Sequence, residues 1–287
     1  MTQFDDISSD TSSSQVREIP ESPGTKQWLV FSALLCATVL TMYLAGGALF
    51  AISLLLILGA HEFGHYWAGR RNRVKVSLPY FMPAPPMFIA GTFGAFIQIK
   101  DPIPDRDVLM EIGASGPIAG FIVALIALWI GLSLSEVSTV QAIQGISFGG
   151  SIILAALSKI ILGVTPFSNE VDIQLHPIAF AGWIGMFITA LNLIPVGQLD
   201  GGHILYALFF EKYLYLARIC YLALIPLGFL WSGWWFWAVL ILIAGIKPAP
   251  LVFAEQKLSP FHRKIGLLCI LIFALTFVPV PFMAIGF

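Results

Sequence analysis

Charged residues are scarce in this chain. They make up 11% of its 287 residues, whereas soluble proteins average roughly a quarter. Hydrophobic residues account for 58%, and the mean hydropathy is +0.88. This composition excludes an ordinary soluble domain and indicates a protein that crosses a bilayer several times. The net charge of -1 provides no attraction for a polyanion, so we expect membrane lipid and no nucleic acid among the partners.

Cysteine is also rare, because the chain has only Cys36, Cys220 and Cys269, each alone in an apolar segment. No C-x-x-C pair is present. The sequence therefore favours neither a disulfide framework nor a cysteine-ligated metal site. We expect the three residues to act as small apolar side chains.

The first 26 residues are the part of the chain that is poor in apolar residues. They are rich in serine and in acidic side chains, and such a segment cannot bury enough apolar surface to fold. They also lack the basic start and apolar core of a secretory signal and the arginine content of a transit peptide. We predict a disordered acidic cytosolic tail over 1–26 and a single domain over 27–287, with a core at 28–210 and C-terminal helices at 213–287.

Apolar segments recur along that domain. They lie near 28–44, 46–69, 111–133, 147–163, 176–195, 213–230, 232–246 and 264–285. Lys and Arg favour the cytosolic side of a bilayer. If 147–163 is an interfacial helix, fourteen of the fifteen Lys and Arg residues lie on that side, and only Lys159 does not. The sequence therefore predicts an all-α polytopic membrane protein with about seven transmembrane helices and a cytosolic N terminus.

The segment 74–100 interrupts this helical pattern. Its four prolines exclude a helix, and 91–99 mixes glycine with aromatic and β-branched residues, which is typical of a strand or hairpin. We expect a short membrane-associated β segment here, whose free edge could pair with an extended peptide. An ordinary interfacial loop is the alternative.

His61-Glu62-Phe63-Gly64-His65 lies at the end of the apolar stretch 46–69. On a helix, the pattern H-E-x-x-H places two imidazoles on one face, where they can bind zinc, and a carboxylate beside them that can act as a general base. The alternative is that both histidines only form hydrogen bonds with neighbours. That alternative leaves several polar groups unsatisfied in an apolar setting.

A catalytic zinc usually has three protein ligands, so a third must come from elsewhere. Asp200 is the main candidate, because it lies within an apolar segment just after Pro195 must break a helix. His203 competes for this role, or else acts as a neighbour of the site or a simple helix residue. His176 and His262 lie next to polar loops, and we expect them to be solvated.

Asn192, Gly116 and Gly120 are the other residues of interest. An amide at Asn192 could donate a hydrogen bond to a developing oxyanion or could cap backbone groups freed by Pro195. Gly116 and Gly120 form a G-x-x-x-G pattern, which permits close helix approach.

Together these motifs resemble the site-2 protease family of intramembrane zinc metalloproteases. The residues that carry the resemblance are His61-Glu62-x-x-His65, the non-helical segment after it, Gly116-Pro117, and Asn192-x-x-Pro195 followed by Leu199-Asp200-Gly201-Gly202. Two positions depart from the family pattern: Gln198 stands where many members have proline, and Gly120 where many have asparagine. No stretch is long enough for the PDZ or CBS domains that some members carry, which favours the compact bacterial and plastid branch.

The resemblance implies cleavage of a partner's transmembrane segment with one zinc ion per chain. It implies that His61, His65 and Asp200 are the zinc ligands, that Glu62 is the base and that Asn192 is the motif asparagine. The expected location is a bacterial inner membrane or a plastid membrane, with the active site open to the cytosol. A non-catalytic scaffold or chaperone on the same fold is the rival reading.

Overall fold

The computed structural model describes residues 23–85, 88–138, 145–164, 171–248 and 250–285. The expected tail lies outside the described residues up to position 22. The described chain is mostly helical, with short strands between the helices. Its elements are α1 (Thr25–Arg71), β1 (Tyr80–Pro83), β2 (Thr92–Phe96), α2 (Arg106–Ser133), β3 (Glu136–Ser138), β4 (Gly145–Phe148), α3 (Ile152–Leu162), β5 (Asp172–Gln174), α4 (Pro177–Asn192), α5 (Asp200–Leu208), a 3-10 turn (Phe210–Lys212), α6 (Tyr213–Leu230), α7 (Gly233–Ala244), α8 (Pro260–Thr276) and β6 (Phe282–Ile285).

Helix α1 is two helices joined at Gly47, where φ is 78° and ψ is -176°. A straight helix would separate Phe31 from Arg71 by about 60 Å, and the chain from Arg71 to Phe81 can span at most about 36 Å. Yet the rings of Phe31 and Phe81 are 6.2 Å apart. The two halves must therefore fold back on each other, as the break between the predicted segments 28–44 and 46–69 requires.

Helix α2 is the centre of the bundle and packs against α1, α4 and α5. Asp105 caps its first turn by accepting a hydrogen bond from the Val108 amide at 2.9 Å. Glycine allows close approach on two sides: a Cβ at Gly131 would overlap the Ala179 backbone, and a Cβ at Gly64 would lie 2.5 Å from the Ser115 carbonyl oxygen. The backbones of the helices that carry the site are thus in direct contact.

Strands β1 and β2 form an antiparallel hairpin in which Tyr80 faces Phe96 and Met82 faces Gly94. The segment 74–100 thus contains an antiparallel pair of short strands. Two further two-stranded sheets, β3 with β5 and β4 with β6, were not predicted from the sequence. Each of these strands has only three or four residues, which is too short for alternation to be visible.

Two predicted segments had wrong bounds. The segment 147–163 begins with residues of β4, and its helix α3 starts only at Ile152, after Ser151 caps it. At 11 residues it is about 16 Å long, too short to cross a core of about 30 Å. The segment 264–285 is helical only to Thr276, because Pro279 and Pro281 end the helix before the chain turns into β6.

Three described helical segments are long and apolar enough to cross a membrane: Thr25–Arg71, Arg106–Ser133 and Phe210–Leu230. Helices α4 and α7 are apolar but have only 16 and 12 residues. Large apolar side chains are exposed along α6 and α7, among them Phe229 and Ile243. Such surfaces are expected to face lipid.

Candidate metal centre

His61 and His65 lie one turn apart in the second half of α1, and both are buried, with 3% and 5% exposure. Their Nε2 atoms are 3.1 Å apart. His65 Nδ1 lies 2.7 Å from the Ile112 carbonyl oxygen on α2, and since a carbonyl can only accept, Nδ1 carries the proton. The lone pair of Nε2 then points away from that bond, which is the tautomer that a metal ligand needs.

Asp200 meets these two rings from another part of the chain. Its Oδ2 atom is 3.2 Å from His61 Nε2 and 3.3 Å from His65 Nε2. The three candidate ligand atoms all lie within 4.8 Å of one another. The structure therefore brings together the two histidines and the carboxylate that the sequence analysis selected.

The turn between α4 and α5 delivers Asp200, and three glycines make the turn possible. Gly197 has φ of +63°, a conformation that side chains disfavour. A Cβ at Gly201 would overlap the Leu193 carbonyl, and one at Gly202 would overlap the Gly197 carbonyl. The chain can fold this tightly around Asp200 only because these positions lack side chains.

The arrangement fits a zinc ion. Bonds of 2.0–2.1 Å in a tetrahedron place ligand atoms about 3.3 Å apart, and the observed separations are 3.1–3.3 Å. The donors are two imidazoles and one carboxylate, a ligand set that leaves the fourth position of a catalytic zinc open.

Glu62 and Asn192 lie at the same centre. Glu62 is 3% exposed, and its buried Oε2 atom has no hydrogen-bond partner within the described residues. An unsatisfied buried carboxylate oxygen is costly, so it indicates a group held for another purpose. Asn192 is the last residue of α4, and its Nδ2 atom lies 3.2 Å from His61 Nε2. Its amide thus faces the metal centre.

A cavity of about 180 Å³ opens at this centre. Besides the candidate ligands and Glu62, its lining includes residues of β2 and the segment after it, together with Gln198 and His203. For His203, the sequence left open whether it is a ligand, a neighbour of the site or a simple helix residue, and the structure places it as a neighbour of the site. Gln198 also donates to the Lys247 carbonyl at 2.7 Å, which ties the turn to the chain between α7 and α8.

The remaining two histidines, His176 and His262, are partly exposed, and each also has a hydrogen-bond partner close by in the chain. His176 Nδ1 accepts a hydrogen bond from the Ile178 amide at the start of α4. His262 Nδ1 lies 2.8 Å from Ser259 Oγ and 3.4 Å from Asp107 Oδ2. Both residues therefore stabilise helix starts, and neither approaches the metal centre.

Tyr213 also supports the site, although the sequence did not indicate it. Its hydroxyl accepts from the Gly197 amide at 3.1 Å and donates to the Ile246 carbonyl at 2.9 Å. This bond holds the turn that carries Asp200. No local pattern distinguishes Tyr213 from the other tyrosines, because both partners are distant in sequence.

Comparison with known proteins gives consistent results. A model of peptidase family M50 matches residues 49–229. The probable zinc metalloprotease EGY2, chloroplastic, of Arabidopsis thaliana is 32% identical over 241 residues, which cover 82% of this chain and 42% of that protein. The probable zinc metalloprotease EGY1, chloroplastic, of Oryza sativa subsp. japonica is 31% identical over 235 residues, with 80% and 40% covered. The chain spans about half the length of the curated relatives it matches, and no solved structure matches it.

Proposed function

Because the chain belongs to peptidase family M50, the site-2 protease family that its motifs resemble, we propose that it is an intramembrane zinc metalloprotease. Its substrates are membrane proteins that it cleaves within or near their transmembrane segments, as in regulated intramembrane proteolysis. The observation that carries this proposal is the convergence of His61, His65 and Asp200 in a cavity between apolar helices. Glu62 lies beside them, and its buried Oε2 atom has no hydrogen-bond partner among the described residues.

His61, His65 and Asp200 would hold the zinc ion. When bound, zinc supplies a Lewis acid that polarises a carbonyl and increases the acidity of water. Glu62 follows His61 directly, so its carboxylate points about 100° away around the helix axis and does not occupy a ligand position. It accepts the proton of the attacking water and later returns it to the leaving amine.

Asn192 is suited to stabilise the oxygen of the carbonyl under attack. Its amide nitrogen lies 3.2 Å from His61 Nε2, and an N–H donor at that place can meet charge that develops on the carbonyl oxygen. Because Gly120 replaces the asparagine of many family members, α2 has no side-chain amide at this position. Asn192 must therefore supply more of the stabilisation of the carbonyl oxygen.

Strand β2 is the proposed substrate-docking edge. Among the described strands, its sheet partner is β1 alone, and Ala95, Phe96, Ile97 and Ile99 also line the cavity. A transmembrane substrate must unwind to expose its carbonyls, and pairing along 91–99 would hold it extended beside Glu62.

The proposed setting is a bacterial inner membrane or a plastid membrane, the latter in line with the chloroplastic relatives. Seven spans, with the N terminus and the cavity on the cytosolic side, agree with the basic residues after His65. His61 lies about 12 Å from Gly69 along α1, so the cavity would admit water from that side. The bundle would contact membrane lipid through the exposed faces of α6 and α7.

The rival function is a non-catalytic scaffold or chaperone on the same fold. Such a protein has no need for a complete ligand set, or for a buried carboxylate oxygen that has no hydrogen-bond partner within the described part of the chain. All of these features are present here, which favours the protease.

The test is the substitution Glu62→Gln, with Glu111→Gln as its control. Glu111 is partly exposed and pairs with Arg71 and Asn72, outside the cavity lining. We expect purified wild type to contain one zinc per chain and to cleave a membrane-embedded reporter. Glu62→Gln should keep its zinc and lose cleavage, and Glu111→Gln should retain both.

Two results contradict the proposal. If Glu62→Gln cleaves the reporter at the wild-type rate, Glu62 is not the general base. If the wild type binds no zinc after zinc loading, the proposal of a zinc protease is wrong and the scaffold function is favoured.

A further inference from the structure

His203 differs from the other four histidines because its buried Nδ1 atom has no hydrogen-bond partner in the part of the chain that the structure describes. Its ring lies on α5, three residues after Asp200, and the residue is only 8% exposed. His65 and His61 contact each other and Asp200, His176 caps α4, and His262 contacts Ser259, the N-cap residue of α8. A buried imidazole without a partner is costly, so its place in the cavity lining needs a reason.

The ring shares its cavity with the proposed catalytic groups. His203, Glu62 and Asn192 all line the same space of about 180 Å³. Gly113 on α2 makes room for the side chain, since a Cβ there would lie 3.1 Å from His203 Cβ. The residues of β2 line the same cavity, so a peptide paired with β2 comes within reach of the ring.

The tautomer follows from the surroundings of the two ring nitrogens. Only Nδ1 is enclosed without a partner, so Nε2 is the nitrogen that the cavity can reach. A proton on Nδ1 would be buried with no acceptor, whereas a proton on Nε2 can meet a polar group in the cavity. The ring therefore presents an N–H donor to whatever occupies the cavity.

We propose that His203 is a further catalytic residue, whose Nε2–H donates a hydrogen bond to the carbonyl oxygen of the peptide bond under attack. The inference rests on the proposed protease function. Glu62 can only accept a proton from water, and a carbonyl oxygen that gains negative charge needs donors. His203 and Asn192 would supply them from α5 and α4, in a cavity where a fixed donor acts more strongly than it does in water.

The test compares His203→Phe, which keeps a ring of similar size, with His203→Gln, which keeps an N–H donor. Removal of one such donor typically lowers kcat by a factor of about 100 or more. We expect His203→Phe to lower kcat by about 100-fold, with KM and zinc content unchanged. His203→Gln should recover a large part of that loss. His176→Phe is the control, because His176 lies at the end of α4 far from Asn192, and its kcat should match wild type.

A binding measurement provides a readout that does not depend on turnover. A phosphinate analogue of the reporter's cleaved sequence carries negative charge where the carbonyl oxygen would be. Its affinity should fall in His203→Phe about as much as kcat does. Binding of the uncleaved peptide, measured in the Glu62→Gln background, should not change when His203→Phe is added.

Three outcomes would overturn the inference: wild-type kcat in His203→Phe, a raised KM with kcat intact, or loss of zinc. These outcomes are separate from failure of the protease proposal. If Glu62→Gln is inactive and His203→Phe cleaves normally, only the role of His203 is wrong. If Glu62→Gln cleaves normally, the protease mechanism itself is wrong.

Discussion

Two parts of the molecule differ in how they pack. The site helices α1, α2, α4 and α5 carry all the proposed catalytic groups, whereas the outer pair α6 and α7 carries none. In the most apolar stretch of α2, 44% of the residues are buried, against 22% in the Phe210–Leu230 stretch that contains α6. Helix α2 is thus buried to a greater extent than α6, which exposes most of its residues.

Glycine serves different purposes in the two parts. On α2, a Cβ at Gly116 would overlap the His65 ring, and one at Gly120 would lie 3.0 Å from His61 Nδ1. In the outer pair, a Cβ at Gly228 would overlap the Trp235 ring, which is 43% exposed. A glycine among the site helices thus makes room for a functional side chain, and Gly228 only lets two helices approach. Substitution in each part should separate these effects.

The largest effect is expected from Gly116→Ala. The new methyl group would displace the His65 ring, which cannot move freely because the Ile112 carbonyl holds its other nitrogen. A ligand shifted by about 1 Å can reduce activity by about 100-fold or more, so we expect loss of zinc and of cleavage. Zinc per folded chain, determined by mass spectrometry, measures this.

Gly228→Ala is the matched control for that variant. Its methyl group also collides with a ring, but that ring belongs to Trp235 and not to the metal centre. We expect a lower unfolding temperature with one zinc per chain retained. Equal loss of zinc in both variants would show that the contrast between the two parts is wrong.

A smaller effect is expected from Gly120→Ala. A Cβ 3.0 Å from His61 Nδ1 requires a shift of only a few tenths of an ångström, so zinc should remain bound. We expect kcat to fall by about 10-fold, since modest misplacement of reacting groups already lowers the rate.

The control for Gly120→Ala is Gly59→Ala, two residues before His61 in α1, where a Cβ meets no atom within 4 Å. That variant should have wild-type kcat and should gain up to about 1 kcal/mol in the free energy of unfolding, because alanine favours the helix. A Gly59→Ala variant as slow as Gly120→Ala would point to helix rigidity instead of ring displacement.

The main site residues could be predicted from the sequence. His61, Glu62, His65 and Asp200 stood out because charged and imidazole groups are rare inside apolar segments, and the helical spacing of the first three is local. The position of Asp200 followed from Pro195 and the neighbouring glycines. The two apolar segments 28–44 and 46–69 predicted a break near residue 45, and the structure places it at Gly47.

The rest depends on contacts between distant residues. Nothing near Gly116 or Gly113 in the sequence indicates that each makes room for a particular histidine. The pairing of β4 with β6 joins segments more than a hundred residues apart, and each strand is too short to be recognised alone. The same holds for Tyr213, the residue of α6 that reaches the turn carrying Asp200.

Tyr213→Phe tests the hydrogen-bonded link between the two parts, which the apolar contacts between them accompany. The change leaves the Gly197 amide and the Ile246 carbonyl without their shared partner, which costs about 2 kcal/mol in the free energy of unfolding. Because the turn carries Asp200, zinc should also bind more weakly. Thermal unfolding with and without zinc measures both effects.

Tyr215→Phe is the matched control, since Tyr215 lies two residues away and is 69% exposed. We expect no change in zinc affinity. If Tyr213→Phe behaves in the same way, the outer pair does not support the metal centre.

The smallest effect is expected from Arg71→Ala, at the end of α1 outside the cavity lining. Its guanidinium lies 3.6 Å from Glu111 Oε1, and the arginine side chain is 60% exposed. Exposed ion pairs contribute about 0–1 kcal/mol to the free energy of unfolding. A basic residue at an exposed helix C terminus contributes about 0.3–1 kcal/mol, and salt weakens both effects. Glu111 keeps a partner in the variant, because Asn72 Nδ2 donates to its Oε2 at 2.6 Å. We therefore expect a loss below about 1 kcal/mol that diminishes at high salt, with zinc content unchanged. Since Arg71 belongs to the same helix as His61 and His65, a loss of zinc in Arg71→Ala would mean that proximity along α1, and not packing against α2, controls the metal centre.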